Sequence, residues 1–493
     1  MKETLLRFLA SIIIIIVLIP STGIHGDQSG RTGAIDVPTV EWVISFGGIS
    51  QDRATGVQTD DASNVYIIGT FREMVDFDPG PGTHELESNG ETDVYLCKLD
   101  KTGNFVWAGS WGSVGIDIVH DLCIDPAGYI YVIGGGTGII ESGDEYSWQN
   151  TLKGHKTNAY VIKFDLSGNY HWATTIGCEG YTTGESVAVD SGHSIYLGGY
   201  FTERIDLETH NGPVVLNSAG DGDSYICKLD ESGNVHWARS WGSSGREDCS
   251  GIAVGPDDGI YVYGAFSETV DFNPGDGQAL KTAYLLKDNA YLSKFDPDGN
   301  FQWIRTWNGH PPTISSGIAS GRDGNILLTG SFYFPVDLDP TYLIERHESA
   351  RLTDCFISAF DISGDYIYGI PIGGGGYERG CEIATDESQN SYLYGIFSAE
   401  ADFDPGEGMD SFLSRKPNSY FLSKFDSQMS YCWTRVWDCC EANISVDIAS
   451  DNDGGIYCVG SFEETIDFDL PGVTESFESN GNHDVFLMKL AVN

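Results

Sequence analysis

The sequence predicts an all-β fold, a seven-bladed β-propeller of four-stranded antiparallel blades. Three observations predict it. Trp42, Trp107, Trp172, Trp237, Trp303, Tyr368 and Trp433 recur at intervals of 65 or 66 residues. Gly69, Gly134, Gly199, Gly264, Gly330, Gly395 and Gly460 keep the same spacing. Between these marks lie short runs rich in Val, Ile, Tyr and Trp that alternate or cluster without a helical period. Two series sharing one period indicate tandem repeats, and four short strands per repeat indicate propeller blades.

The elements follow in order. Lys2 and Arg7 precede an apolar run from Phe8 to Ile19, and Pro20 and Ser21-Thr22-Gly23 close it. That order of charge, apolar core and small residues is the pattern of a secretory signal over 1–26, with cleavage after Gly23 or Gly26. An uncleaved anchor is the alternative, although the run falls short of the roughly 18 apolar residues of a spanning helix. A short lead, 27–39, then reaches the repeats, 40–493. In the first blade the expected strands are Gly56–Asp60, Val65–Phe71, Val94–Asp100 and Phe105–Trp111. Asp61-Ala62-Ser63-Asn64 joins the first pair and Asp100-Lys101-Thr102-Gly103-Asn104 the last. In such turns Asp binds nearby backbone amides and Gly supplies the left-handed residue. The array opens on a lone strand, Val40–Phe46, and ends on a third strand, Asp484–Leu490. Pairing those two would complete the seventh blade and remove an open edge.

The segments Val-Asp-Phe-Asp-Pro-Gly (75–80), Asp-Val-Tyr-Leu-Cys-Lys-Leu-Asp (93–100) and Gly-Asn-Phe-Val-Trp (103–107) resemble the SBBP-type β-propeller repeats of secreted bacterial proteins. The resemblance runs over residues 40–493. Blade two departs from it with Gly-Gly-Gly-Thr-Gly at 134–138, and blade five with Tyr368 in place of Trp. The resemblance implies a propeller and export, and it carries no catalytic residues. A secreted or cell-surface monomer, extracellular or periplasmic, is the expectation.

Charge excludes several functions. With 27 basic and 72 acidic residues, the net charge is −45. Nucleic acid is excluded as a partner, because phosphate contacts need Lys and Arg. An anionic membrane surface would repel the chain, so no membrane insertion is expected after signal cleavage. The 41% hydrophobic content excludes a disordered acidic tail.

Two acidic series are candidate sites. Acids two apart follow the repeated Gly as Asp76/Asp78, Asp271/Asn273, Asp337/Asp339, Asp402/Asp404 and Asp467/Asp469. Such oxygens in a Pro/Gly turn could wrap Ca²⁺, or could instead hold loop amides while Phe77-type residues plug the gap between blades. The second series, Asp52, Asp117, Glu247 and Glu378, lies ten residues after the Trp series. It begins the innermost strands, so it could converge on a ligand at the channel mouth or merely solvate the rim. Trp pairs four apart, such as Trp107/Trp111, share a strand face and suit packing between blades better than a sugar platform. Eleven Cys cannot all pair within one chain, and no zinc spacing or nucleophile context stands out.

These features favour a non-catalytic binding scaffold for an extracellular protein or glycan. Its binding face would carry the long loops, such as Arg72–Thr92, that distinguish this repeat. The alternative is an extracellular polysaccharide lyase or hydrolase with its site at the channel mouth.

Overall fold

The computed structural model describes residues 38–491 apart from 137–140, 143–156, 178, 308–312, 334, 342–345, 350, 440–444 and 471–472. The proposed signal segment lies outside the described residues. Seven antiparallel blades make up the chain, each with four strands in sequential order from the inside outward. Blade one consists of Arg53–Thr59, Val65–Phe71, Asp93–Leu99 and Phe105–Gly112. Blade seven takes its inner three strands from Asp447–Ser450, Gly455–Phe462 and Asp484–Ala491, and its outer strand from Thr39–Phe46. That last pair is antiparallel, from Thr39 opposite Ala491 to Phe46 opposite Val485. The ring is thus closed by strands from opposite ends of the array, and neither remains an open edge.

The repeated residues explain the register. Second and third strands are buried almost throughout, as in Val65–Phe71 and Asp93–Leu99. They read as continuous apolar runs because both faces lie against neighbouring blades. Trp42, Trp107, Trp172 and Trp237 each donate an indole N–H to a turn carbonyl of the next blade, on Lys101, Leu166, Glu231 and Pro297. Above each ring sits the glycine of that turn. Gly103 has φ of +83°, and a Cβ there would lie 3.1 Å from the Trp42 ring. Backbone angle and ring contact therefore both demand glycine. The second Trp of each pair is buried against the next blade. Trp111 packs on Phe164 at 5.4 Å, Trp241 on Phe295 at 5.2 Å and Trp307 on Phe360 at 5.5 Å between centroids.

Turns between first and second strands rest on aspartate more than on glycine. Asp60 Oδ1 accepts from the amides of Ala62 and Asn64, both at 2.9 Å. Its Oδ2 accepts from the buried Tyr66 hydroxyl at 2.9 Å. The left-handed residue is glycine in three of these turns, Gly128, Gly324 and Gly454, and Ser63, His193, Asp258 or Gln389 in the others. The expectation of glycine holds more widely in third-to-fourth turns, at Gly103, Gly168, Gly233, Gly299 and Gly364.

In six blades the long connection after the second strand is partly ordered into a small hairpin, while most of that of blade two lies outside the described residues. In blade one it is Met74–Asp76 paired with Glu85–Glu87, and in blade seven Thr465–Leu470 paired with Val473–Glu478. Among the described residues no helix is long and apolar enough to cross a membrane.

Candidate functional site: the central channel

The innermost strands enclose a polar channel of about 730 Å³. Most inner strands break register at one point, between Ala54 and Gly56, Val119 and Asp121, Ser315 and Ile318, and Gly380 and Glu382. A bulge places consecutive residues on one side and re-aims them. His120 with Asp121, and Cys381 with Glu382, thereby both line the channel. At the same place the other blades carry Thr55-Gly56, Glu185-Ser186, Ser250-Gly251, Ser316-Gly317 and Val446-Asp447. This column does not repeat, which sets it apart from the turns and the core.

Within the channel Asp121, Glu382 and Asp447 form an acidic layer. Asp121 Oδ2 accepts from Ser186 Oγ at 2.8 Å and from the Val187 amide at 2.9 Å. Asp447 Oδ2 accepts from the Val57 amide at 2.7 Å. Each acid therefore ties one blade to the next. Enclosure by protein raises all three carboxyls, Asp121 to about 6. For Glu382 and Asp447 burial is again the main cause, reinforced by the charges of the other acids in the layer. At neutral pH the layer consequently keeps at least one proton. The channel thiols of Cys123, Cys249 and Cys381 are also pushed up by burial, Cys381 to about 11. They remain protonated and are poor nucleophiles.

The channel opens on the long-loop face, where inner strands begin and second strands end. There the Arg246 guanidinium lies 4.4 Å over the Tyr200 ring, and Tyr181 stands 5.8 Å from Tyr200. The Tyr181 amide donates to Thr202 Oγ1 and the Thr183 amide to the Tyr200 carbonyl, which fixes the two rings side by side. Burial pushes the Tyr200 hydroxyl up to about 12, so it stays a neutral donor. Asp248 is held by the Ala265 amide at 2.8 Å. His120 Nδ1 approaches Glu185 Oε2 at 3.4 Å, while His120 Nε2 is buried without a hydrogen-bond partner. Among the described residues Arg246 enters no ion pair within 4.0 Å. It is exposed, whereas its counterparts Gln51, Ile116 and Tyr377 carry no charge.

The residues singled out by sequence lie elsewhere. Asp52, Asp117 and Glu378 begin or immediately precede inner strands and Glu247 lies four residues before one, but all are buried and none lines the channel. The expectation that they meet at its mouth is corrected by their bonds. Each accepts from the amide four residues before it, on Gly48, Ser113, Ser243 and Gly374, at 2.5–3.0 Å. They staple the loop that enters the blade, and their side chains turn into the blade junction rather than toward the axis.

The other series holds loop turns. Asp76 Oδ1 accepts from Asp78 and His84 amides, and Asp78 Oδ1 from Gly80. Asp271 and Asn273 repeat the pattern, as do Asp402 and Asp404, while Asp337 and Asp339 keep part of it. Asp467 and Asp469 lie within the Thr465–Leu470 strand. The residues between these acids, Phe77, Phe272, Leu338, Phe403 and Phe468, are buried in the core. Among the described residues no three His, Cys, Asp or Glu side chains form a metal-binding group.

Sequence reasoning missed the channel cluster. The available signal was the column four residues after Asp52, Asp117, Glu247 and Glu378, which varies where the rest of the repeat is constant.

No family model matches the chain. It is 22% identical over 422 residues to an uncharacterized WD repeat-containing protein, L264, of Acanthamoeba polyphaga mimivirus, covering 74% of this chain and 30% of that protein. It is 23% identical over 276 residues to the regulatory protein FlaEY of Caulobacter vibrioides, covering 53% of this chain and 27% of that protein. The chain thus spans less than a third of the curated relatives it matches. Among solved structures, a Bacteroides caccae protein of unknown function aligns with 69% of this chain and 89% of its own, at 9% identity and a TM-score of 0.35. A polysaccharide lyase described as a PL25 ulvan lyase aligns with 89% of this chain and 84% of its own, at 11% identity and a TM-score of 0.33. At those scores the likeness adds nothing to the architecture traced above. By its own sheets the chain is a propeller-like repeat protein.

Proposed function

We propose that this chain is an exported binding propeller of the SBBP-repeat type that takes an extracellular glycan at the long-loop mouth of its channel. One observation carries the reading: Arg246, exposed and without an ion-pair partner among the described residues, stacked on Tyr200 beside Tyr181. Aromatic faces suit the apolar face of a sugar ring, and a guanidinium fork suits a carboxylate on it. Glu185 and Asp248 supply acceptors for hydroxyls at the same rim. A glycan with spaced carboxylates fits better than a densely charged polyanion such as nucleic acid, because the net charge of −45 opposes dense negative charge.

Titration against neutral and uronate-containing oligosaccharides tests the proposal. Saturable binding is expected, weakened at least about tenfold in Arg246→Ala and in Tyr200→Ala, as for residues at the centre of a contact. Binding by no sugar, or unchanged binding in both variants, overturns it. Running the titration with and without Ca²⁺ tests whether the second oxygens of the Asp76/Asp78-type pairs also serve a cation.

An enzyme acting on the same polymer is the second reading, favoured by the His120–Glu185 pair. Glu185 would orient the ring, leaving Nε2 as a base for a proton beside a carboxylate that Arg246 neutralises. Chain shortening of a uronate polymer, lost in His120→Ala, would establish that activity. Stable binding without cleavage would exclude it.

A further inference from the structure

Blade junctions carry a second arrangement of acids, independent of the channel. At four of them a parallel bridge joins the third strand of one blade to the approach of the next blade's inner strand. The bridged residues are Thr92 and Ile116, Gln51 and His483, Gly222 and Arg246, and Thr353 and Tyr377. The amides of Asp117, Asp52, Glu247 and Glu378 complete these bridges at 2.9–3.0 Å. In each case the next residue on both sides is an acid: Asp93 with Asp117, Asp484 with Asp52, Asp223 with Glu247, and Asp354 with Glu378. All eight are buried. The remaining three junctions carry Asn158 with Thr182, Asn289 with Thr313, and Ser419 with Asn443 at the same sequence positions. At the four bridged junctions an acid follows on both sides, and at the other three sequence positions both residues are neutral.

The two members of an acidic pair are satisfied differently. Asp52 accepts from two amides, of Gly48 at 2.6 Å and Arg72 at 3.2 Å. Asp93 and Asp484 accept through Oδ2 alone, from the amides of Asn89 at 2.9 Å and Asn480 at 3.0 Å. The Oδ1 atoms of both are buried with no hydrogen-bond partner, as is Oε1 of Glu378.

Asn289 shows what that position requires. Its Oδ1 accepts from the Tyr284 amide at 2.6 Å, and its Nδ2 donates to the Trp307 carbonyl at 2.9 Å. In blade one the counterpart of Trp307 is Trp111. Asp93 packs against the following residue, so that a Cβ on Gly112 would lie 2.3 Å from Asp93 Oδ1. Asp93 Oδ1 therefore occupies the place of an amide donor. A carboxylate has no proton to give there, whereas a carboxylic acid does.

We propose that two of these junctions, Asp93/Asp117 and Asp484/Asp52, each hold a proton in the folded ring, carried on Asp93 and Asp484 and donated to the underlying strand carbonyl. The acid across the junction keeps the negative charge, held by loop amides. Closing these junctions thus takes up protons, and the ring tightens in mild acid. At the first junction the direction of titration agrees, since burial raises Asp93 to about 6 and the Asp117 charge adds to it; at the second both acids are raised, and the partnerless Oδ1 alone places the proton on Asp484. Asp484 is raised by burial, and Asp52, raised to about 6 by burial, also feels Asp484 and Glu73. Two of the three nearby cations are engaged elsewhere. Arg72 donates to Thr92 Oγ1 at 2.9 Å, and His483 pairs with Glu463 at 2.7 Å. Arg53 follows Asp52, and its Nε is buried without a hydrogen-bond partner.

The sign follows from linkage. A carboxyl raised in the folded state adds stability below its unfolded value, about 3.9, and loses it as pH rises through the folded value. The melting temperature should therefore fall by several degrees between pH 5 and pH 8, in EDTA. The variants Asp93→Asn/Asp117→Thr and Asp484→Asn/Asp52→Thr copy the Asn158/Thr182 junction, so they suit the fold. They should flatten that slope. Infrared spectra of the folded wild type at pH 5 should show a protonated-carboxyl band, weaker in both variants. Slopes unchanged by the variants, or no such band, overturn the proposal. Stability at pH 8 that rises with Ca²⁺ and falls in EDTA also overturns it, by assigning the pairs to a cation.

Discussion

Asp60 illustrates how single side chains carry the local geometry of this protein. It accepts from two turn amides and from the Tyr66 hydroxyl, and those donors together with Asn64 outweigh burial and lower its carboxyl. Asp125, Asp190, Asp386 and Asp451 make the same contacts with Tyr131, Tyr196, Tyr392 and Tyr457. The turn is imposed by the acid, which is why Ser63 or His193 can take a left-handed angle there. Asp60→Ala leaves the Tyr66 hydroxyl without its acceptor and should cost about 1–3 kcal/mol, read by denaturant unfolding. Gly103→Ala should cost a similar amount, since φ of +83° and the Trp42 ring at 3.1 Å both oppose a Cβ. The repeated Asp and Gly were legible in the sequence because each acts on residues within a turn. The Trp42 ring above Gly103 was not, because 60 residues of chain lie between them.

At the scale of the strand, the inner strands differ from the rest. Second and third strands are continuous, and their expected limits match the observed ones to within one residue in blade one. The first strand begins at Arg53, three residues before the expected Gly56, and it carries the bulge. Past a bulge the simple alternation of faces fails, so sequence could not say that His120 and Asp121 both face the channel. Glu382 follows from the same irregularity. Its carboxyl is raised well above the usual range by burial and by the charges of Asp447 and Asp121. A raised folded value means stability lost as pH rises. Glu382→Gln should therefore raise the melting temperature at pH 8 by a few degrees and leave it little changed at pH 5, which thermal scans at the two values would show.

The whole molecule depends on closure. Thr39–Phe46 supplies the outer strand of blade seven, and Val43 and Phe46 are buried there. A chain beginning after Phe46 would expose the edge of Asp484–Ala491 and forfeit that burial, at a cost of at least about 3 kcal/mol. It should melt earlier and over a broader range, as calorimetry would record. The acidic composition has also acquired places. Some of it sits in turn aspartates, some in loop turns, some in the channel layer, and eight residues in the junction pairs.

Period, strand order, hairpin chemistry and ring closure were determined by the sequence alone, because each rests on local spacing repeated seven times. Only the tertiary structure decided where each acid points. Asp52 and Asp117 turn into junctions, while Asp121 and Asp447 turn to the axis. A few residues of backbone separate the two destinations, and the difference is made by bulges and by contacts with a neighbouring blade some sixty-five residues away. Neither leaves a periodic trace, since the repeat that reveals a fold also conceals the positions that depart from it.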